Sequence, residues 1–425
     1  WESSKPVLIL FDRHLDFISL LTHPWTYAPL VHDVFDMKLN RIQLTEEEDG
    51  RVKKKVVDVD QHDFFWSRNM LNAFPQVAED VDLEINKYKA DVDKITKSCG
   101  VDSLDEINPG AGSALGLTTA IKQLPALTER KRVLDIHMSI ATSLLHTIQQ
   151  RHLDELFAHE ESIDKMNKAS VLQEIKDSAK SPVDKVRFFA VYYLSSKIEI
   201  PQADFDEYLK ALETAGAGHL IGALKYLVQV RAFSKMSLRP SDTTAAAYSG
   251  TASDGVAFLG KFTSKITDHL KDAGMQNHFD TLLSGVKNLL PSKKEYPITK
   301  ILGQIMEKGD VPPQQREVNP NTDGADGYLW LDPYLSRSSN TYNRSSAPPG
   351  RGDGSAFTEA IVFAVGGGNY LEYQNLLEYM NQHDNFLGTK HRIIYGSTEL
   401  VSPSSFLKQL VALGPQPAAQ QVDIQ

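Results

Sequence analysis

One cysteine, Cys99, stands in 425 residues. That excludes an intrachain disulfide framework and any metal site built from several thiolates, and it fits a reducing compartment. Long apolar runs are missing as well: none approaches the roughly 20 residues that span a bilayer, so no direct membrane insertion is expected. A basic surplus is also absent. Asp and Glu outnumber Lys and Arg by 55 to 45, for a net charge of −10, whereas a nucleic-acid binder usually shows a basic face. The 13 histidines never form H-E-x-x-H, so no metal and no cofactor is expected. The opening WESSKP lacks the charged-then-apolar start of a signal peptide and lacks an initiator Met. A piece of a longer chain is expected, with whatever the N-terminal part adds out of view.

What is present falls into two patterns. Val7–Phe11 (VLILF) is a short continuous apolar run of the kind found in a parallel strand buried on both faces. Near the other end, Ala360–Val365 runs into Gly366–Asn369 and a helix Leu371–Met380. His391–Tyr395 then runs into Gly396-Ser397-Thr398 and, after Ser402-Pro403, a helix Ser404–Leu413. Between these ends the period is helical from Asp63 to about Lys308. The expected fold class is α/β plus all-α: a discontinuous, mostly parallel α/β domain (residues 1–60 and 325–425) split by a large helical insertion (61–324) with a protruding hairpin (76–160). Arg51–Val59 should be an exposed strand after an acidic turn Thr45–Gly50, its lysines a solvated edge. Leu238–Gly255 and Pro312–Gly354 are irregular, and the Arg351-Gly352-Asp353 tripeptide in the latter is a chance turn sequence.

The hairpin is the most strongly patterned part. Val77, Val81, Ile85, Tyr88, Val92 and Ile95 step by threes and fours, as do Leu134, Met138, Ala141, Leu145 and Ile148. Val133, Ile140 and Leu144 add a second stripe beside the latter. A breaker segment, Cys99–Gly116, joins the two, and the second helix is expected to run from Leu115 to Glu161 with Pro125 inside it. Further helices are expected at 162–179, 181–196, 201–215, 218–232 and 256–273, with Ser181-Pro182 as cap and first helical position.

Catalytic signals are weak. Asp12 closes an apolar strand, where α/β enzymes often keep a nucleophile, but the haloacid-dehalogenase pattern wants an aspartate where His14 stands. The turn Gly366–Asn369 lacks G-x-G-x-x-G and the Lys-Ser/Thr of a P-loop, and Gly396-Ser397-Thr398 is not G-x-S-x-G. The alternative function this leaves is a nucleotide- or phosphate-dependent enzyme using that turn and Asp12. The plainer reading has Asp12 and Arg13 satisfying loop backbone and each other, while the glycines allow positive φ and close packing.

Several stretches together resemble the SM (Sec/Munc-type) family of SNARE regulators, most closely its Sly subfamily of ER–Golgi traffic. They are KPVLILFDRHLDFISLLTHPWTYAPLVHDVFDMKLNRI, ERKRVLDIHMSIATSLL, FAVGGGNYLEYQNLLEYM and IIYGSTELVSPSSFLKQL. The resemblance implies an arch-shaped, non-enzymatic assembly factor. Its partners would be R-SNARE and Qa-syntaxin motifs, assembled SNARE bundles and tethering complexes. It would be a cytoplasmic protein recruited to ER and Golgi membranes, and here it would lack the family's N-terminal domain. Pro125 then matches a hinge in the second hairpin helix, and His137 and Met138 fall where the family has a His followed by a SNARE-contacting apolar residue. The implied SNARE-binding set is Pro125, Arg130, Lys131, Arg132, Leu134, His137, Met138, Ala141 and Leu145, with the segment from Leu238 as a regulatory lid.

Overall fold

The computed structural model describes residues 6–48, 51–60, 62–99, 114–196, 199–237, 291–307, 357–383 and 391–415. The expected helix 256–273, the loop Leu238–Gly255 with its lid role, and the stretch Pro312–Gly354 lie outside the described residues.

Strand β1 (Val7–Asp12) leads through a 3-10 turn into α1 (Ile18–Leu21) and α2 (Tyr27–Phe35), and then into the antiparallel pair β2 (Arg41–Glu48) and β3 (Arg51–Asp58). The acidic turn is thus shorter than the composition suggests, because Thr45–Glu48 complete β2, with Thr45 opposite Lys54. The helical run comprises α3 (Phe64–Asn69), α4 (Phe74–Cys99), α5 (Ala114–Arg151), α6 (Leu153–Glu161), α7 (Lys168–Lys176), α8 (Pro182–Ser195), α9 (Gln202–Leu212), α10 (Ile221–Ser237) and α11 (Pro297–Glu307). Strand β4 (Glu359–Val365), α12 (Tyr370–His383), β5 (Arg392–Ser397) and α13 (Pro403–Leu413) close the chain.

Strands from the two ends of the sequence form one parallel sheet in the order β1-β4-β5, with Val7 opposite Ala360 and Glu359 opposite Arg392. One face, carrying Ile9, Phe11, Ala360, Val362 and Ala364, packs on Ile298, Leu302 and Met306 of α11 and on Leu376 and Tyr379 of α12. Burial on both faces does not hold for β1: among the described residues, Leu8 and Leu10 on its other face are 59% and 66% exposed. Helix α11, expected within the helical insertion, belongs to the sheet's core instead. Its apolar residues step by threes and fours, and that spacing says a face is buried without saying against what. A second, larger core runs from Phe17 and Trp25 through α5, α8 and α10 to Phe406 and Leu410 of α13, so helical and sheet-bearing segments share it.

Local chemistry sets several ends. The Ser181 hydroxyl accepts from Asp184 N–H with Pro182 first in α8, and Ser402-Pro403 starts α13 in the same way. The expected helix Leu115–Glu161 is two helices, because His152 takes a left-handed conformation (φ 53°, ψ 43°) and separates α5 from α6. No Gly or Pro announces that break.

Buried charges tie the loop after α1 to the helices. Arg187 is fully buried and donates to both Asp33 oxygens (3.1 and 2.8 Å), to Asp184 (3.2 Å), and to the carbonyls of Leu21 and Thr22 (3.0 Å each). Arg151 makes a two-pronged contact with Asp184 (2.9 and 2.6 Å). His23 lies between Glu160 (2.6 Å) and Asp184 (3.4 Å). The group is neutral only when His23 carries a proton, since Arg187 and Arg151 alone face Asp33, Asp184 and Glu160. Burial and the Arg187 charge oppose that proton, but the two carboxylates outweigh them and raise the His23 pKa above its ordinary 6.5. Burial pushes the carboxyls up, yet His23 holds Glu160 below 4.5, and His23 with Arg151 holds Asp184 well below 3.8.

The pH dependence follows from these directions. The His23 contribution is complete below its unfolded value and is lost as pH rises through the raised folded one. The Glu160 and Asp184 contributions are complete above their unfolded values and are lost as pH falls through the depressed ones. Stability from this group should therefore peak between about pH 4.5 and 6.5 and fall on each side, by at most about 1.4 kcal/mol per pH unit per proton. Urea midpoints at pH 5.5 and 8 test it: His23→Gln should flatten the alkaline fall, and an identical fall in that variant would dismiss His23 as its source.

Candidate functional site

Two places were marked by the sequence, the glycine turn at the sheet's C-terminal end and the hairpin. The glycine turn is closed. Gly366 and Gly367 sit at φ 100° and 102°, and a Cβ on either would come within 2.8 Å of Arg13 Cβ or Val401 Cγ2. Their N–H groups donate to the Thr398 hydroxyl (3.2 and 3.0 Å), Gly368 N–H to the Glu399 carbonyl (2.9 Å), and Asn369 N–H to the Tyr395 hydroxyl (3.1 Å). A phosphate site needs such donors free, and here all four are used within the chain.

Beneath the turn, Glu372 accepts from Arg13 (2.7 Å), Ser19 (3.2 Å) and Tyr395 (2.6 Å), and Arg13 also donates to the Gly367 carbonyl (3.1 Å). Arg13 therefore pairs with Glu372 and not with Asp12. Asp12 is exposed and accepts from His14 N–H at 2.9 Å, capping the turn that follows β1. Arg13 and Glu372 staple the glycine turn to the end of β1, and Asp12, the residue of the enzyme alternative, only caps the turn beside them. Among the described residues there is also no cluster of His, Cys, Asp and Glu able to hold a metal ion.

In the hairpin, α4 packs along α5. Helix α5 runs unbroken through Pro125, although Pro removes one N–H and crowds the preceding turn. The Thr128 hydroxyl donates to the Leu124 carbonyl at 2.9 Å in that stretch. The hinge expected at Pro125 is thus a continuous helix here.

The expected SNARE-binding residues divide sharply. Leu134, His137, Ala141 and Leu145 are buried in the main core, as are Val133, Ile140 and Leu144. Both apolar stripes of α5 are spent on the protein's own packing, at about 1.5–3 kcal/mol for each large side chain buried. Those four residues therefore cannot offer a docking surface in this structure. Arg130 reaches across the hairpin to Glu84 (2.9 Å) and Asp91 (3.0 Å), and Arg132 pairs with Glu129 (2.9 and 2.6 Å). Pro125 and Lys131 are exposed, and Met138 is half-buried at the edge of the core. The open face of α5 reads Lys131, Asp135, Met138, Thr142, His146 and Gln149, polar apart from Met138. Between α3 and the hairpin, Phe64 (40% exposed), Glu84, Ala126, Glu129 and Arg130 line a cleft of about 460 Å³.

The pattern of α5 did not reveal the ties of His137. Its ring is 0% exposed, with Nδ1 2.8 Å from the Tyr27 hydroxyl and Nε2 3.0 Å from Asp63 Oδ2. A proton on Nε2 satisfies both contacts, the tyrosine donating and the carboxylate accepting. Asp63 also caps α3, accepting from Phe65 N–H (2.9 Å) and Trp66 N–H (2.8 Å). Burial pushes the Asp63 carboxyl up, but His137 and these N–H groups hold it below 3.8. Burial, with the Asp63 charge, pushes the Tyr27 hydroxyl well above 10.

The geometry thus leaves a closed turn and a hairpin with one face of α5 open, and the comparisons with known proteins give the family in which they occur. The Sec1 family profile matches residues 1–409. The chain belongs to the Sec1 family. It is 39% identical over 411 residues to Protein sly1 of Schizosaccharomyces pombe, covering 96% of this chain and 61% of that protein. It is 37% identical over 431 residues to human Sec1 family domain-containing protein 1, covering 96% of this chain and 60% of that protein. Among solved structures, Sly1p in complex with an N-terminal peptide of Sed5p superposes with a TM-score of 0.68 at 30% identity, over 96% of this chain and 59% of that one. The SM protein Vps45 in complex with the Qa SNARE Tlg2 shares the fold, with a TM-score of 0.61 at 18% identity, over 96% of this chain and 59% of that one. The chain therefore spans about three fifths of the length of these Sec1 family members. No helix among the described residues is long and apolar enough to cross a membrane.

Proposed function

We propose that this chain is the SNARE-handling part of a non-enzymatic assembly factor that promotes SNARE complex formation in ER–Golgi vesicle fusion. The observation that carries this reading is the 39% identity to Protein sly1 of Schizosaccharomyces pombe over 96% of the chain. The hairpin supports it physically, because α5 leaves a face open on which a partner helix can lie with Met138 as its one apolar anchor and polar contacts around it. Of the residues the resemblance marks, Met138 is the apolar anchor on that face and Lys131 the free-standing charge beside it. Recruitment to ER and Golgi membranes, and contact with tethering complexes, belong to the same reading.

Met138→Lys tests it. Fluorescence anisotropy with R-SNARE and Qa-SNARE motif peptides should show affinity reduced roughly tenfold or more, as for an anchor residue. Stability should fall by no more than about 1 kcal/mol, because a half-buried lysine stem can run along the core edge and keep its ammonium in water. Unchanged affinity for every SNARE peptide that binds the parent chain would remove this face from the reading.

A further inference from the structure

We propose that His137 is a positioning residue: by bonding Tyr27 of α2 and the α3 cap Asp63 together, it sets the direction in which the hairpin leaves the body. Of the hydrogen bonds that α5 makes ahead of Met138, those of Arg130 and Arg132 go to residues of the hairpin, and those of His137 go directly to α2 and the α3 cap; a further side-chain link from this part of the hairpin to α3 is the longer Arg68–Glu84 contact at 3.5 Å. The ring is also held on several sides, 4.6 Å from Phe65, 5.9 Å from Tyr27 and stacked 6.4 Å from Trp66. One residue thus joins three elements, and its partner Asp63 simultaneously fixes the first turn of α3. Phe64, the next residue, stands at the cleft between α3 and the hairpin with Ala126, Glu129 and Arg130. The cleft thus adjoins the cap that His137 holds. An unbroken α5 carries any rotation at His137 to the tip as a lever, because a helix extends about 1.5 Å per residue. Pivoting therefore belongs at the base of the hairpin, with Pro125 riding on the moving arm.

The consequence for partners rests on the reading above, that the hairpin receives a SNARE helix. A helix lying along α5 and touching the body at the same time needs the angle that His137 maintains. Tyr27→Phe removes one hydroxyl and keeps the packed ring, and His137→Gln keeps an amide on the Asp63 side. Circular dichroism and thermal melts establish that each variant is folded.

Spin labels at the exposed positions Lys122 on α5 and Lys408 on α13, in a Cys99→Ser background, report the hairpin-to-body distance by double electron–electron resonance. A second pair at Lys94 and Lys122 reports distance within the hairpin. The expected result is a widened or shifted hairpin-to-body distribution in both variants, with the within-hairpin distribution unchanged. Binding of an R-SNARE motif peptide should weaken about tenfold, the effect of losing one or two hydrogen bonds that order the receiving surface. An unchanged hairpin-to-body distribution in the folded variants overturns the proposal. A changed distribution with unchanged peptide affinity upholds the pivot and refutes the reading that a SNARE helix is received there.

Discussion

Replacing Arg187 with methionine should lower the unfolding free energy by about 3–5 kcal/mol. The side chain is fully buried, and its five N–H groups are spent on Asp33, Asp184 and the carbonyls of Leu21 and Thr22. Methionine is similar in bulk and flexible, so lost packing is a small part of the effect. The large part is the Asp33 carboxylate left deep in the protein with only a 3.9 Å approach from Arg151, whereas Asp184 retains its two-pronged contact with Arg151. The carbonyls of Leu21 and Thr22, at the C-terminal end of α1, also lose their donor. Urea denaturation at pH 6 reads the change, and a loss under about 1 kcal/mol would mean the network is solvated or rearranges freely.

Glu372→Ala should produce a loss of the same order, about 3–5 kcal/mol, at the other buried charge centre. It strips Arg13, 3% exposed, of its 2.7 Å carboxylate partner and leaves Asp16 at 3.9 Å as the nearest counter-charge. The Ser19 and Tyr395 hydroxyls lose their acceptor in the same step. By contrast Asp12→Asn should cost no more than about 1 kcal/mol, the scale of a turn or helix cap. The contrast separates the two views of this corner of the fold. A staple needs Glu372 and tolerates Asp12→Asn, whereas a catalytic or phosphate site would make Asp12 the demanding position. Equal melting temperatures for Glu372→Ala and the parent chain would remove the staple.

Both effects come from contacts that no window of the sequence displays. Arg13 and Glu372 lie 359 positions apart, and Asp33 and Arg187 lie 154 apart. In the sequence, Arg187 is the last of three charges, after Asp184 and Lys185, in a largely apolar helix, VDKVRFFAVYYL, and nothing local distinguishes a buried ion pair from a solvated one. Strand β1 shows the same limit. Its continuous apolar run matches a strand covered on both sides, but among the described residues helices α11 and α12 cover only one.

The hairpin is where local and tertiary information part most clearly. The threes-and-fours spacing of Val77 to Ile95 and of Leu134 to Ile148 determined that two amphipathic helices exist, because 3.6 residues per turn places those side chains on one face wherever the helix lies. Ser181-Pro182 and Ser402-Pro403 determined two helix starts for the equally local reason that a hydroxyl and a fixed φ satisfy the first turn. The apolar strand at Val7, the two strand–turn–helix units between Ala360 and Leu413, and the motifs shared with the Sec1 family determined the fold class and the family.

Only the tertiary structure decided which stripe of α5 remains open. A periodicity marks a face as apolar but carries no information about whether its cover is the chain's own core or a partner. Here the core took both stripes and left a polar face with Met138 on it. It also decided that α5 continues through Pro125 and ends at His152, since packing along the helix can outweigh one missing hydrogen bond and a left-handed His needs no Gly to occur. And it made His137, one polar residue in an apolar stripe, the joint of three elements, because only folding brings Tyr27 and Asp63 to its two nitrogens.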